Sequence, residues 1–517
     1  MQEIRYDFII ISGSVAARCP AQTHLHGRQR RNGGNMLKRV MCTALSFLLA
    51  VSLLSGCGTP AGEEPEGGST MSDDSSDMAD TSSGMPEGSD QDVSDEAAES
   101  ADEGASDKAP EAADDQPPIL KDAVMDIMGC RIGCAATEGE LNDEKVWEII
   151  TTHFNAITFG NELKPDAMVG YSVGKCPGTE EADLNGETIV VPKLDYSRAE
   201  RMLDKIYDWN EAHPDDKIMV KGHVLVWHAQ TPEWFFHVDY DKNKDYVDKE
   251  TMNKRLEWYI RTMLTHFTGE ESKYKGMFYG WDVVNEACSD GNHVYRTDNE
   301  NPEESLSEDR HGSNSSWWHI YQSNEYIINA FIYANKYAPA DLELYYNDYN
   351  ECMGTKVGHI TELLTEIKSR EGEPGVGTRI TAMGMQGHYS MDSPKFNDVD
   401  YAIRQYAKVV GNVQFSELDM KASADYDGSD EAKETEYQKQ YARYKLIYNV
   451  MQTENEAEDI NITSITFWGT VDHYSWLQNS SNVGGGSSGN LPQCPLLFDE
   501  NYQIKPAFYA FTEKKYN

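Results

Sequence analysis

The chain has 517 residues and a formal net charge of -42, from 87 acidic against 45 basic residues. That balance excludes nucleic acid as a partner, since neutralising phosphates needs a basic face, and it is compatible with a neutral polymer. The length allows two or three domains, but the charge is unevenly spread: residues 1–57 carry a net +5 and residues 58–118 a net -18, so the chain is read in segments.

Residues 1–57 read as an upstream extension followed by a lipoprotein signal peptide. Met36-Leu37-Lys38-Arg39-Val40 opens a basic region, and the apolar run from Thr43 to Leu54 is too short to span a bilayer and suits a signal sequence. It ends in Leu54-Ser55-Gly56-Cys57, which resembles a bacterial lipobox with Cys57 as the lipidated residue. Translation is expected to start at Met36, because residues 1–35 match no targeting pattern. The alternative is a cleaved signal with an ordinary cysteine. Residues 58–118, rich in Ser, Asp, Glu, Gly, Ala and Pro, bury too little apolar surface to offset ordering entropy and are expected to form a disordered acidic tether. Together these segments place the protein on the extracellular face of the cell membrane, held by its N-terminal lipid alone.

From residue 119 to 517 the pattern changes to alternating strands and helices. The predicted pairs are strand Ile127–Ala135 with helix Asn142–Thr152, strand Phe154–Phe159 with helix Tyr196–Ala212, and strand Lys217–Trp227 with helix Lys249–Phe267. Strand Met277–Val284 precedes helix Trp317–Tyr337, strand Leu342–Tyr346 precedes helix Lys356–Ser369, and strand Ile380–Gln386 precedes helix Val399–Val409. Strand Val413–Leu418 with helix Ala432–Thr453, and strand Ile462–Trp468 with a short helix Lys505–Thr512, complete eight units. Such alternation predicts a parallel sheet covered by helices, and eight units in one domain predict a single (β/α)8 TIM barrel, with a doubly wound open sheet as the alternative. Long loops at Val169–Leu194, Ser289–Ser316 and Gln478–Pro492 each follow a strand and should lie at the end of the barrel where active sites form.

Polar and aromatic residues collect where those strands end: Asn161, Glu162 and Lys164; His223, Trp227, His228 and Gln230; Asn285 and Glu286; Asn347, Asp348, Tyr349 and Asn350; Gln386 and His388; Glu417 and Asp419; Trp468, Asp472 and Trp476. Two glutamates across one barrel mouth, Glu286 and Glu417, suit acid–base chemistry on a glycosidic bond. Glu417 and Asp419 lie two apart and so face one side of a strand. No Ser-His-Asp set, P-loop or HExxH motif competes with this arrangement.

The segments GHVLVWHAQTPEW at 222–234, WDVVNEA at 281–287, YNDYN at 346–350, MQGHYS at 385–390, FSELDM at 415–420, ITFWGTVDHYSW at 465–476 and LLFDENYQIKPAF at 496–508 resemble glycoside hydrolase family 10, whose usual activity is endo-1,4-β-xylanase. The resemblance runs from about Ile127 to Phe511. It implies retaining hydrolysis of internal bonds in xylan or xylo-oligosaccharides, without cofactor or metal, by a monomer. It further implies Glu286 as acid/base, Glu417 as nucleophile, His388 beside the nucleophile with Asp419 orienting it, and Asn285 on the sugar 2-hydroxyl. Asn161, Lys164, His223, Trp227, Gln386, Trp468 and Trp476 match glycone-side sugar contacts. The family's Glu before Asn161 is Gly160 here, and its Trp after Lys164 is Pro165, both at the second glycone sugar. Rival functions are a β-1,4-glucanase or mannanase barrel and a non-catalytic glycan-binding lipoprotein.

Several residues have structural explanations. Asp282 reads as a barrel brace and Trp281 as core, while His228, Asp348 and Asn350 are open between packing and the site. Cys130 and Cys134 lack a second close pair, so zinc is not expected. Asp239, Asp241, Asn243, Asp245 and Glu250 mimic a calcium loop, but Lys244 stands where the turn needs Gly. Asp248 as an N-cap explains that stretch without metal.

Overall fold

Strand β1 (Arg131–Ala136) pairs in parallel with β2 (Ala156–Phe159), and β2 with β3 (Met219–Gly222). Pairing continues through β4 (Phe278–Asn285), β5 (Glu343–Asp348), β6 (Ala382–Met385), β7 (Asn412–Lys421) and β8 (Asn461–Phe467). β8 then pairs with β1, Arg131 opposite Ser464, so the sheet closes into the expected eight-stranded parallel barrel and the open-sheet alternative falls away. This computed structural model describes residues 117–307, 312–478 and 492–515. The leader, Cys57, nearly all of the acidic tether and nearly all of the Gln478–Pro492 loop lie outside the described residues.

Helix Phe396–Val410 buries Val399, Ala402, Ile403, Tyr406, Ala407 and Val410, a three–four spacing on one face. Each fully buried Val, Ile or Leu of such a stripe contributes roughly 1.5–3 kcal/mol. Capping fixes where helices start: the Asp143 carboxylate accepts from Lys145 N for Glu144–His153, and Asp248 accepts from Thr251 N at 2.7 Å for Lys249–Thr268. Asp239 pairs with Lys244 at 2.6 Å, so these residues of the calcium-like stretch already have protein partners.

The structure corrects four readings. Ile127 and Met128 belong to a helix, Leu120–Met128, closed by Gly129 at φ 67°, and β1 begins only at Arg131. The Val169–Leu194 loop contains an antiparallel hairpin, Thr179–Leu184 with Glu187–Pro192, turning at Asn185 and Gly186 with φ 57° and 89°. The helix predicted over Trp317–Tyr337 is two, Ser316–Tyr321 and Glu325–Tyr337, broken where Gln322 adopts φ 49°. Strand Lys217–Trp227 is interrupted after Gly222, where the His223–Val224 peptide is cis, and resumes as Val226–Trp227 beside β4.

Candidate active site

Glu286 sits just beyond an irregularity in its strand, and Glu417 sits within one. The β4–β5 register shifts between Asp282 and Val284, and the β7–β8 register shifts between Phe415 and Leu418. Such bulges re-aim side chains at a barrel rim. Glu286 itself lies at φ 55°, a left-handed conformation that costs a residue with a Cβ about 1–3 kcal/mol and persists only where the surroundings hold it.

A chain of amides joins the two carboxylates. Asn285 Nδ2 donates to Glu286 Oε1 at 3.0 Å, and Asn347 Nδ2 donates both to Asn285 Oδ1 at 2.9 Å and to Glu417 Oε1 at 2.7 Å. Gln386 Nε2 reaches Glu286 Oε1 at 2.9 Å, and the Trp227 indole donates to Glu286 Oε2 at 2.8 Å. Asn347 stood at a strand end in the sequence without an assigned role, and the structure makes it the bridge. Its amide has room because Gly384 faces it on β6; a Cβ there would stand 2.4 Å from Asn347 Oδ1.

Glu417 and Asp419, two apart on β7, meet the same histidine. His388 Nδ1 lies 2.9 Å from Asp419 Oδ1, and Nε2 lies 3.3 Å from Glu417 Oε2. The Trp476 indole donates to Asp419 Oδ2 at 2.7 Å. Burial alone would raise the Glu417 carboxyl. The His388 bond and the positive field of His223, His388 and Lys221 outweigh it and hold Glu417 at about 2. Burial opposes a charge on His388 too, but Asp419 and Glu417 push it up to about 10. The shifts favour the charged forms of His388 and Glu417 together.

The residues expected on the glycone side also converge. Lys164 Nζ donates to Gln230 Oε1 at 3.0 Å and to Asn161 Oδ1 at 3.3 Å, and it lies 5.1 Å from the Trp227 ring centroid and 5.9 Å from that of Trp468. Trp468 meets the His223 ring edge to face at 5.4 Å, and Trp476 lies 4.9 Å from His388. His223 is fixed from behind: Asp282 Oδ2 lies 2.8 Å from its Nδ1 and 3.1 Å from Lys221 Nζ, all buried, which makes Asp282 the brace expected. Trp281 is fully buried and packs on Gly222. Asp348, the Lys356 partner at 3.1 Å, is likewise a buried brace. Glu162 accepts from Glu138 N and Asn161 N, and so holds the β2 loop. Among the described residues all six cysteines are free, and no cluster of side chains is arranged to hold a metal.

Gly160 departs from the family pattern yet does not need to be glycine. Its φ is not left-handed, and a Cβ would make ordinary contacts with Thr137 Cγ2 at 3.4 Å and the Ala136 carbonyl at 3.9 Å. Gly160→Glu should fold normally. It should lower the Michaelis constant for short xylo-oligosaccharides by restoring a charge-assisted hydrogen bond to one hydroxyl. Unchanged steady-state kinetics on xylotriose and xylotetraose would show that another group already makes that contact.

A closed parallel barrel carrying two strand-end glutamates, a histidine–carboxylate pair and a rim of indoles and amides defines a class, the barrel glycoside hydrolases. Residues 120–514 match the glycosyl hydrolase family 10, and the chain belongs to that family. Endo-1,4-β-xylanase Y of Acetivibrio thermocellus is 32% identical over 397 residues, 76% of this chain and 32% of that protein. Endo-1,4-β-xylanase A of Butyrivibrio fibrisolvens is 28% identical over 415 residues, 75% of this chain and 85% of that protein. The solved N-terminal CBM22-1–GH10 modules of Clostridium thermocellum endo-1,4-β-D-xylanase 10B, complexed with xylohexaose, superpose with a TM-score of 0.59 at 28% identity, covering 75% of this chain and 67% of that one. The chain spans about a third of the length of the first curated relatives it matches.

Proposed function

We propose that this protein hydrolyses internal β-1,4 bonds of xylan with retention of configuration, acting without cofactor and as a monomer. The observation that carries the reading is the coupling of Glu286 to Glu417 through Asn285 and Asn347, which holds two carboxyl groups at one site in different environments. Glu417, kept anionic by its cationic neighbours, attacks the anomeric carbon from below the sugar ring. Glu286 protonates the departing glycosidic oxygen, then takes a proton from the water that opens the glycosyl-enzyme ester. His388 and Asp419 fix the nucleophile and its charge. Asn285 bonds the 2-hydroxyl, while Asn161, Lys164, His223, Trp227, Gln386, Trp468 and Trp476 hold the glycone sugars.

Xylan is favoured over glucan because relatives named as endo-1,4-β-xylanases align over most of this domain. The two polymers share their linkage and differ by one hydroxymethyl group on each ring, so the discrimination is steric and sits where Trp468 and Trp476 pack over the glycone. Burying that hydroxyl without a partner costs roughly 1–3 kcal/mol, or about one to two powers of ten in rate. The test is the ratio of kcat/KM on aryl β-xylobioside to that on aryl β-cellobioside. A ratio at or above about ten is expected, and a preference for the cellobioside would overturn the substrate assignment.

The sequence before the barrel supports a lipid-anchored enzyme at the outer face of the cell membrane, joined through Cys57 and a solvated acidic tether. Cys57→Ala should release the protein to the medium or leave unprocessed precursor. Wild-type protein recovered from the cytoplasm would contradict the anchoring.

A further inference from the structure

The main chain around Glu286 is held at successive polar groups, and one residue recurs in that hold. Glu286 N donates to Asn347 O at 2.8 Å, and Ala287 N and Cys288 N both donate to the Tyr346 hydroxyl at 3.0 Å. The two intervening carbonyls are both taken by Arg296. Its Nε donates to Glu286 O at 2.9 Å, and its backbone N donates to Ala287 O at 2.8 Å. The guanidinium is spent on the same task. Nη1 donates to Ser313 O at 2.9 Å and Nη2 to the Tyr349 hydroxyl at 2.9 Å.

Arg296 is 4% exposed, and these three side-chain bonds go to two carbonyls and a phenol, none of them charged. Burying a guanidinium away from a contacting carboxylate carries a desolvation cost. The planar fork justifies that cost only by fixing several acceptors in one geometry. The acceptors here are the residue in the left-handed conformation, the loop that follows it, and the top of β5.

We propose that Arg296 is a positioning residue for the acid/base: by clamping the Glu286 carbonyl with its side chain it holds Glu286 in its left-handed conformation and aims the carboxyl at the glycosidic oxygen. The inference rests on Glu286 being the acid/base. Loss of the clamp lets the main chain relax toward an ordinary conformation, which swings the Glu286 side chain away from Trp227 and Gln386. Glu417 is held by Asn347 and His388 and keeps its place.

The defect must therefore appear where proton donation matters. A dinitrophenolate leaves without a proton, whereas phenolate needs one. Arg296→Met, Arg296→Lys and Tyr349→Phe are compared with wild type on phenyl and 2,4-dinitrophenyl β-xylobioside, with Glu286→Ala as reference. In Arg296→Met, kcat/KM should fall at least about tenfold more on the phenyl than on the dinitrophenyl substrate, a part of what a general acid contributes. Arg296→Lys and Tyr349→Phe should show the same divergence at smaller size, and they decide the matter if Arg296→Met does not fold. Azide should speed turnover of the affected variants and yield a glycosyl azide of retained configuration. Equal losses on both substrates in these variants, with divergence in Glu286→Ala, would overturn the clamp alone. Equal losses in Glu286→Ala as well would overturn the acid/base assignment and the clamp with it.

Discussion

Glu417→Ala is expected to lower xylan turnover by at least about 10⁴-fold, because the covalent step loses its only nucleophile. The barrel should survive the change. Asn347 keeps its bond to Asn285, and His388 keeps Asp419 as a partner at 2.9 Å. If Glu417 is the nucleophile, the space vacated by its carboxylate faces the anomeric carbon and should admit a small anion. Added azide should therefore restore turnover of an activated aryl xylobioside and give the azide of inverted configuration, since a single displacement replaces two. Residual xylanase activity above about one part in a hundred, or azide product of retained configuration, would remove Glu417 from the nucleophile's role.

Glu286→Ala should behave in the opposite sense. General acid catalysis contributes roughly 10²–10⁴-fold, and kcat/KM on xylan should fall by that order. The loss should shrink as the leaving group improves, because a good leaving group departs unprotonated. Deglycosylation then limits turnover, as no base activates water, and azide should accelerate it to give an azide of retained configuration. Opposite azide anomers from the two variants assign the two roles without reference to any relative.

Much of this architecture was readable in the sequence. Helices with long apolar stripes, such as Ser197–Ala212 against a predicted Tyr196–Ala212, were placed to within a residue or two. The strands β4, β7 and β8 are legible because each sets apolar or β-branched residues between polar loops. The helix Leu120–Met128 was not found. It has only nine residues, and its buried Leu120, Val124 and Met128 give just three apolar positions. The hairpin was legible but unread: Asn185-Gly186 between two β-rich runs is a strong two-residue turn signal, obscured there by the acidic strand Thr179–Leu184. Ser323-Asn324 before Glu325 is a helix-start signal lying inside the predicted Trp317–Tyr337, where the apolar pattern on either side masks it.

The site follows the same division. Residues at strand ends could be gathered from the sequence, since the barrel brings all eight ends to one mouth. The partners of those residues could not. Asn347 bridges the glutamates only because Gly384 leaves room for it, and Arg296 reaches Glu286 from within a long loop ten residues on. Such contacts depend on loop paths and bulges, which periodicity does not encode.

The central claim, that Glu417 and Glu286 act as nucleophile and acid/base of a double displacement, is tested most directly by proton NMR of the first product released from xylohexaose by the wild-type enzyme. Two inversions at one carbon return the starting configuration. The β-anomer should therefore appear first, with the α-anomer growing only at the rate of mutarotation. First appearance of the α-anomer would mean a single displacement by water, and Glu417 would then be a base and not a nucleophile.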